Sequence, residues 1–192
     1  MALGPQFDKA LTFAAHHHRT QVRKGSGIPY VAHLLAVAAL AIEHGATEAE
    51  AIGAVLHDVV EDQGVTREIL EDLFGVAVAD IVIGCSDTDQ IPKPPWRARK
   101  EAYVAHVRGA SFSVRLVSMS DKLHNARSIL ADQRALGDGV WERFTGGRDG
   151  SLWYYRALVE AYRAAGTTPA TQPLLDELER TVAEIERLSA AG

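Results

Sequence analysis

Residues 47–64, TEAEAIGAVLHDVVEDQG, carry the clearest helical pattern of the chain. Thr47 and Glu50 have the spacing of a capping box, in which each side chain accepts a hydrogen bond from the other residue's backbone N–H. The apolar side chains that follow recur at helical spacing as far as Val60, and Gly64 is a residue type that commonly ends a helix. We therefore predict one amphipathic helix over this stretch.

The same spacing recurs along most of the chain, and no stretch alternates cleanly enough to predict a strand. Upstream, residues 31–42 form one apolar stripe, and Gly45 follows at a position where helix ends favour glycine. Further helices are predicted at residues 116–130, 151–165 and about 174–188.

Two segments contain strong helix breakers. Pro92, Pro94 and Pro95 are expected to interrupt any regular element, and the glycine-rich residues 137–150 are expected to form a flexible connection. Everything else is compatible with helices packed on one another. The predicted fold class is therefore all-α, a compact single-domain helical bundle.

Length and charge narrow the range of functions. A chain of 192 residues that is 47% hydrophobic is long enough for one domain with a substantial core. With 20 basic and 25 acidic residues, the formal charge of −5 argues against a broad surface for duplex nucleic acid. We therefore expect no nucleic-acid partner, and a protein that is a monomer or a homodimer.

Cysteine usage and hydropathy bear on location. Cys85 is the only cysteine, so no disulfide can form within the chain, and we expect a buried, unreactive thiol. The longest apolar run, Leu34 to Ile42, is far shorter than the ~20 residues that span a bilayer, and the N-terminus lacks a signal-peptide layout. We expect a cytoplasmic protein without a membrane partner.

A small set of polar residues suggests chemistry. His57 and Asp58, with His33 upstream and Asp121 downstream, supply two imidazoles and two carboxylates. Such a mixed N/O set suits a divalent ion of the manganese type and offers no thiolate for structural zinc. Each residue alone has a commoner explanation, such as a core histidine or a helix-surface acid. Their separation along the chain leaves open whether they meet.

Two further acids lie beside this set. On a helix, Glu61 is one turn from His57 and Asp62 is one turn from Asp58. A bound divalent ion lowers the pKa of water, and a nearby carboxylate can accept the proton that is released. The natural target of this chemistry is phosphorus, whose charged oxygens need a cation. The residues therefore indicate a metal-dependent phosphohydrolase.

Three motifs strengthen this interpretation. The segments RKGSGIPYVAH (residues 23–33), LHDVVED (56–62) and SDKLHNAR (120–127) resemble, in order and interval, those of HD-domain hydrolases of the RelA/SpoT superfamily. The resemblance covers roughly residues 7–162, with a closing helix at about 172–190 of a single domain 1–192. No synthetase segment is recognised, so the chain is most similar to stand-alone small alarmone hydrolases, a group that includes metazoan SpoT homologues. Lys122, where bifunctional enzymes usually have arginine, fits that group.

The resemblance implies a compact helical bundle and an activity. That activity is the manganese-dependent removal of the 3′-pyrophosphate from guanosine tetra- or pentaphosphate, which yields GDP or GTP and pyrophosphate. The implied ligands of a single Mn²⁺ ion are His33, His57, Asp58 and Asp121. Glu61 and Asp62 match the acids assigned to catalysis. The residues implied in nucleotide binding are Arg23, Lys24, Lys93, Asn125 and Tyr154.

Other functions share these motifs. An HD phosphohydrolase could act on an adenosine alarmone, a deoxynucleotide or the 2′-phosphate of NADPH. A binding module without turnover would be expected to lack Glu61 or Asp62, and the chain has both. A third alternative is a helical interaction module, in which the last predicted helix would form a dimer contact. Arg23 and Lys24 could also be a solvated helix end, and Tyr154 and its aromatic neighbours could serve core packing.

Overall fold

The computed structural model describes residues 2–88 and 92–191 and is built from α-helices. Within those ranges there are ten α-helices, one 3-10 helix and no strand beyond an isolated antiparallel bridge between Val22 and Pro29. The α-helices are α1 (Pro5–His17), α2 (Val31–Glu43), α3 (Glu48–Leu56), α4 (Val59–Gln63), α5 (Arg67–Phe74), α6 (Val76–Cys85), α7 (Trp96–Gly109), α8 (Phe112–Leu136), α9 (Gly147–Ala165) and α10 (Gln172–Ala191). The predicted all-α class is confirmed.

The capping box at the start of α3 forms as predicted. Thr47 Oγ1 accepts from the Glu50 N–H at 3.4 Å, and Glu50 Oε2 accepts from the Thr47 N–H at 2.6 Å. The single helix predicted over residues 47–64 is wrong, however, because α3 ends at Leu56 and a turn separates it from α4. His57 Nδ1 donates to the Ala54 carbonyl at 2.8 Å. In an unbroken α-helix that carbonyl would accept from the backbone N–H of Asp58.

The two segments with helix breakers turned out differently. Pro92, Pro94 and Pro95 lie between the end of α6 at Cys85 and the start of α7 at Trp96, so the predicted interruption is confirmed, whereas the 14-residue helix α7 that follows was not predicted. The expected flexible connection at 137–150 contains a 3-10 helix, Gly137–Arg143, whose Val140 and Trp141 are buried. Burial of these two side chains anchors the segment to the core despite its glycines.

Close helix packing places α2, α3 and α8 in mutual contact, with α6 behind α3 and α8. Two glycines make the approach of α6 possible. A Cβ at Gly53 would lie 2.6 Å from Ile81 Cγ2, and one at Gly84 would lie 2.5 Å from Val114 Cγ2. The result is a closely packed frame of α2, α3 and α8 that holds the candidate metal ligands.

The fold bears on two further predictions, the state of the Cys85 thiol and the lack of a membrane-spanning segment. Cys85 is partly buried, and burial raises the pKa of its thiol well above the usual range, so the group is a neutral thiol. Among the helices of residues 2–88 and 92–191, none combines the length and the apolar character that crossing a bilayer requires.

Candidate metal centre

Three packed elements bring the four predicted metal ligands to one place. His33 lies in the first turn of α2, His57 and Asp58 form the turn between α3 and α4, and Asp121 lies in the middle of α8. Because α2, α3 and α8 contact one another, these residues converge although they are far apart in sequence. The convergence that spacing left open is therefore present in the fold.

The distances are those of a compact N/O cluster. His57 Nε2 lies 2.9 Å from Asp58 Oδ2, and His33 Nε2 lies 3.2 Å from Asp121 Oδ1. The crossed distances are 3.6 Å from His33 Nε2 to Asp58 Oδ2 and 3.7 Å from His57 Nε2 to Asp121 Oδ1. His33, His57 and Asp58 offer ligand atoms that all lie within 4.8 Å of one another, which a single divalent ion could bridge.

The imidazoles also fit a metal in their hydrogen bonding. Both rings are buried, and neither Nε2 atom has a hydrogen bond of ordinary geometry within the described part of the chain. For His57, donation from Nδ1 to the Ala54 carbonyl leaves a lone pair on Nε2. His33 Nδ1 lies 2.7 Å from His124 Nδ1. A buried imidazole nitrogen that faces two carboxylates and lacks a hydrogen-bond donor needs another partner, and a metal ion would supply it.

His124 fixes the orientation of His33. Burial lowers the pKa of His124 to about 4, and the neighbouring His33 and Arg23 side chains lower it further. His124 is therefore neutral near pH 7, and its Nδ1 can accept the proton of His33 Nδ1. That arrangement again leaves the lone pair of His33 on Nε2, where it faces Asp121.

The two carboxylates are held by donors outside the cluster. Asp58 accepts a hydrogen bond from the Tyr30 hydroxyl at 2.6 Å, and Asp121 accepts from Lys122 Nζ at 2.6 Å and from the Asn125 amide. Burial alone would raise both carboxyl pKa values. His57 nevertheless holds the pKa of Asp58 well below its usual range, and Lys122 does the same for Asp121.

The cluster as a whole favours positive charge at its centre. Burial opposes protonation of His57, yet Asp58 and Asp121 together raise its pKa well above the usual value. Two carboxylates facing one small space create the same demand for any cation placed between them. The donor set and its charge therefore fit a divalent metal.

The two predicted catalytic acids lie on α4, directly after the His57–Asp58 turn. Glu61 is partly buried, and Lys93 Nζ lies 3.0 Å from its Oε1. Asp62 is exposed and accepts a hydrogen bond from the Gln21 amide at 2.7 Å. Gln21 also lies 2.6 Å, through Oε1, from Nδ1 of buried His18, whose ring stacks on Tyr30.

A cavity of about 690 Å³ opens beside His33 and Asp62. Four of the five residues predicted to bind nucleotide line it: Arg23, Lys24, Asn125 and Tyr154. The fifth, Lys93, is not among its lining residues and pairs with Glu61 instead. The Arg23 guanidinium donates to the side-chain Oδ1 of Asn125 at 2.9 Å, so these two residues of the cavity wall contact each other directly.

Sequence reasoning missed several polar residues at this place. Those that line the cavity or contact a predicted ligand are Tyr30, Lys100, Lys122, His124 and Arg143. Lys122 and His124 belong to the third motif and could have been suspected from their closeness to Asp121 on α8. Lys100 follows the proline segment and Arg143 lies within the glycine-rich segment, and no sequence signal connects either residue to the site.

Comparisons with known proteins agree with this geometry. The HD domain family matches residues 10–151. The zebrafish (Danio rerio) guanosine-3′,5′-bis(diphosphate) 3′-pyrophosphohydrolase MESH1 is 40% identical over 124 residues, which cover 63% of this chain and 67% of the relative. A Haemophilus influenzae enzyme with the same activity name is 36% identical over 58% of this chain, but the match covers only 17% of that longer protein.

A solved structure extends the likeness to the whole fold. It belongs to a metazoan orthologue of SpoT that hydrolyses ppGpp, and it superimposes with a TM-score of 0.76 at 28% identity. The superposition covers 94% of this chain and 97% of that structure. With the matched family spanning more than half of the chain, this protein belongs to the HD domain family.

Proposed function

We propose that this protein is a manganese-dependent hydrolase that removes the 3′-pyrophosphate from guanosine tetraphosphate and pentaphosphate, releasing GDP or GTP. One observation carries the proposal. Two buried imidazole nitrogens, neither hydrogen-bonded within the described residues, face two carboxylates next to a cavity whose walls bear several cationic side chains. The relatives named for this activity support the choice of substrate.

In this proposal His33, His57, Asp58 and Asp121 hold one Mn²⁺ ion. The mixed imidazole and carboxylate set is suited to such an ion. When bound, a divalent metal lowers the pKa of water and offsets the charge of phosphoryl oxygens. Tyr30, Lys122 and His124 serve to hold the ligands in position through the contacts described above.

The reaction is hydrolysis of a single phosphorus–oxygen bond. The oxygen of water joins the phosphorus attached to the ribose 3′-oxygen, and the bond between that phosphorus and the 3′-oxygen breaks. Glu61 and Asp62 form the acid–base pair: a carboxylate accepts a proton from water, and the departing 3′-oxygen takes up a proton. Lys93 and Gln21 hold these two acids through their side chains.

The nucleotide occupies the cavity beside His33. Arg23 presents a planar guanidinium that can stack on the purine, and Asn125, bonded to Arg23, contacts the nucleoside. Lys24 is exposed at the same wall and meets phosphate, while Lys93 approaches from the side of Glu61. The cytoplasmic location, the monomeric or homodimeric state and the single domain over residues 1–192 stay predictions from the sequence.

The test is a substrate panel with and without metal. Purified protein is stripped of metal, reloaded with Mn²⁺ and incubated with guanosine tetraphosphate, and GDP and pyrophosphate are quantified by ion-exchange chromatography. Equimolar release of both products only in the reloaded sample is expected. Parallel reactions contain NADPH, an adenosine alarmone or a deoxynucleotide. Faster turnover of one of these would replace the proposed substrate, and no turnover of any would contradict a hydrolase.

A further inference from the structure

The hydroxyl of Tyr154 is a buried polar group without a partner. Only 7% of the residue is exposed, and its oxygen makes no hydrogen bond within residues 2–88 and 92–191. Burying such a group costs folding free energy unless a ligand satisfies it. Because Tyr154 lines the cavity beside His33, the missing partner belongs in that cavity.

Two lysines line the same cavity close to Tyr154. Lys100 Nζ lies 5.0 Å from the centre of the Tyr154 ring, and the side chains of Lys100 and Lys122 are only 19% and 14% exposed. Burial lowers the pKa of Lys100, and the nearby charge of Lys122 lowers it further. Two partly buried ammonium groups near each other are an unfavourable arrangement, which an anion between them would relieve.

The carboxylates at this place do not fully compensate the lysines. Asp87 is shared between Lys100 at 2.7 Å and Arg99 at 2.5 Å. Lys122 pairs with Oδ2 of Asp121 at 2.6 Å, while Oδ1 of the same carboxylate faces the two imidazoles. One carboxylate therefore serves two cations, and the other also belongs to the metal cluster. Each ammonium has three N–H donors, which leaves donors for further oxygens.

We propose that Tyr154, Lys100 and Lys122 form a phosphate subsite that binds the terminal phosphate of the 3′-diphosphate and retains it in the pyrophosphate product. This inference rests on the proposed function and names the residues that recognise the leaving group. Lys122 contacts a predicted metal ligand directly, so oxygens bound by it lie beside the reacting phosphorus. Phosphates on the ribose 5′ side would lie further along the cavity.

The central experiment is binding of inorganic pyrophosphate to manganese-loaded protein, measured by calorimetry. Tyr154→Phe removes one neutral donor to a charged acceptor, and we expect an affinity about 10-fold weaker. Lys100→Gln removes a charge as well, and we expect a loss of about 10- to 100-fold. Both variants should raise the KM for guanosine tetraphosphate by similar factors while the affinity for Mn²⁺ is unchanged.

Thermal unfolding separates this role from a structural one. Because the Tyr154 hydroxyl has no hydrogen-bond partner in the described part of the chain, Tyr154→Phe should not lower the melting temperature. The matched control is Tyr162→Phe, whose hydroxyl lies 2.6 Å from the Ser118 hydroxyl in the core. That variant should lower the melting temperature and leave pyrophosphate affinity unchanged. Lys9→Gln, which removes an exposed lysine outside the cavity, controls for net charge.

The possible outcomes distinguish the subsite from the proposed reaction. Pyrophosphate binding that depends on Tyr154 and Lys100 supports the subsite even if guanosine tetraphosphate is not hydrolysed. If guanosine tetraphosphate is hydrolysed but both variants keep wild-type pyrophosphate affinity and KM within about twofold, the subsite is overturned. Absence of pyrophosphate binding by the manganese-loaded wild type would overturn it as well.

Discussion

The two sides of α8 use charge in opposite ways. On the side that faces α2 and α3, Asp121 is buried against two imidazoles, and the partly buried Lys122 pairs with it. On the side that faces α10, Arg127 donates to Glu177 at 3.0 Å and Arg134 donates to Glu184 at 3.3 Å, in exposed pairs. One helix thus carries a buried cluster and a surface network.

This difference separates binding from stability. The exposed pairs are complementary without any external partner, and pairs of this kind contribute little individually. The cluster gathers two carboxylates and two buried imidazole nitrogens that lack a hydrogen bond among residues 2–88 and 92–191, which is costly unless something binds there. We infer that the side of α8 facing α2 and α3 serves to bind a ligand, and that the side facing α10 serves to pack the C-terminal helix.

Asp121→Ala should have the largest effect, because it removes a carboxylate from the cluster. We expect the variant to lose both bound metal and hydrolysis, and to unfold more easily by about 3–5 kcal/mol because Lys122 is left buried without its partner. Metal content by mass spectrometry, GDP release and urea unfolding measure these effects. Asp80→Ala, at an exposed acid paired with Arg67, is the control. Retention of stoichiometric manganese in Asp121→Ala would contradict its role as a ligand.

Glu61→Gln tests the chemistry without disturbing the cluster. Glu61 bonds to Lys93 and to none of the four predicted ligands, so the variant should keep its metal. Turnover should fall by about 10²- to 10⁴-fold, the range for acid–base assistance. Glu71→Gln on α5, whose carboxylate pairs with Arg67, should keep full activity. A near-normal rate in Glu61→Gln would assign the proton transfer to another group.

His124→Ala tests whether a residue outside the cluster positions His33. Loss of the acceptor on His33 Nδ1 should weaken manganese affinity by about 10- to 100-fold, with a smaller change in activity at saturating metal. His124→Asn retains an acceptor oxygen and should recover part of the affinity. His106→Ala, at a ring that bonds the Gly84 carbonyl, is the matched control. Equal metal affinity in the His124 and His106 variants would exclude the positioning role.

Local sequence signals predicted the first and last residues of helices better than the break at His57 or the existence of α7. The capping box at Thr47 forms, and Gly45 and Gly64 follow helices with positive φ values of 86° and 68°. These features depend on a few adjacent residues, so a single sequence contains them. The turn at His57 depends on a side-chain bond to a backbone carbonyl, and α7 depends on packing against α9. Neither could be read from residue spacing.

The site shows the same limit. The residues around His57 were recognisable as a motif, but their meeting with His33 and Asp121 follows from the packing of α2, α3 and α8. Resemblance to a family supplied that information before the structure did. Contacts made only by packing, such as the hydroxyl of Tyr30 on Asp58, gave no sequence signal. The same applies to Lys100, which reaches the cavity from α7.

Glu184→Gln on the α10 side should have the smallest effect and no effect on turnover. Hydrogen bonds from Arg187 and Arg134 lower the pKa of Glu184 from 4.5 to about 2. A lowered carboxyl pKa in the folded state gives stability that is complete above pH 4.5 and is lost as the pH falls toward 2.

Urea unfolding at low salt, between pH 7 and pH 2, measures the loss of this stability. Wild type should lose slightly more stability than Glu184→Gln on acidification, and 1 M salt should reduce the difference because the groups are exposed. Glu142→Gln, at an exposed glutamate without an ion pair among residues 2–88 and 92–191, should follow wild type. A change in metal affinity or turnover in Glu184→Gln would mean that the two sides of α8 are coupled. Ligand binding and helix packing could then not be assigned to separate sides of this helix.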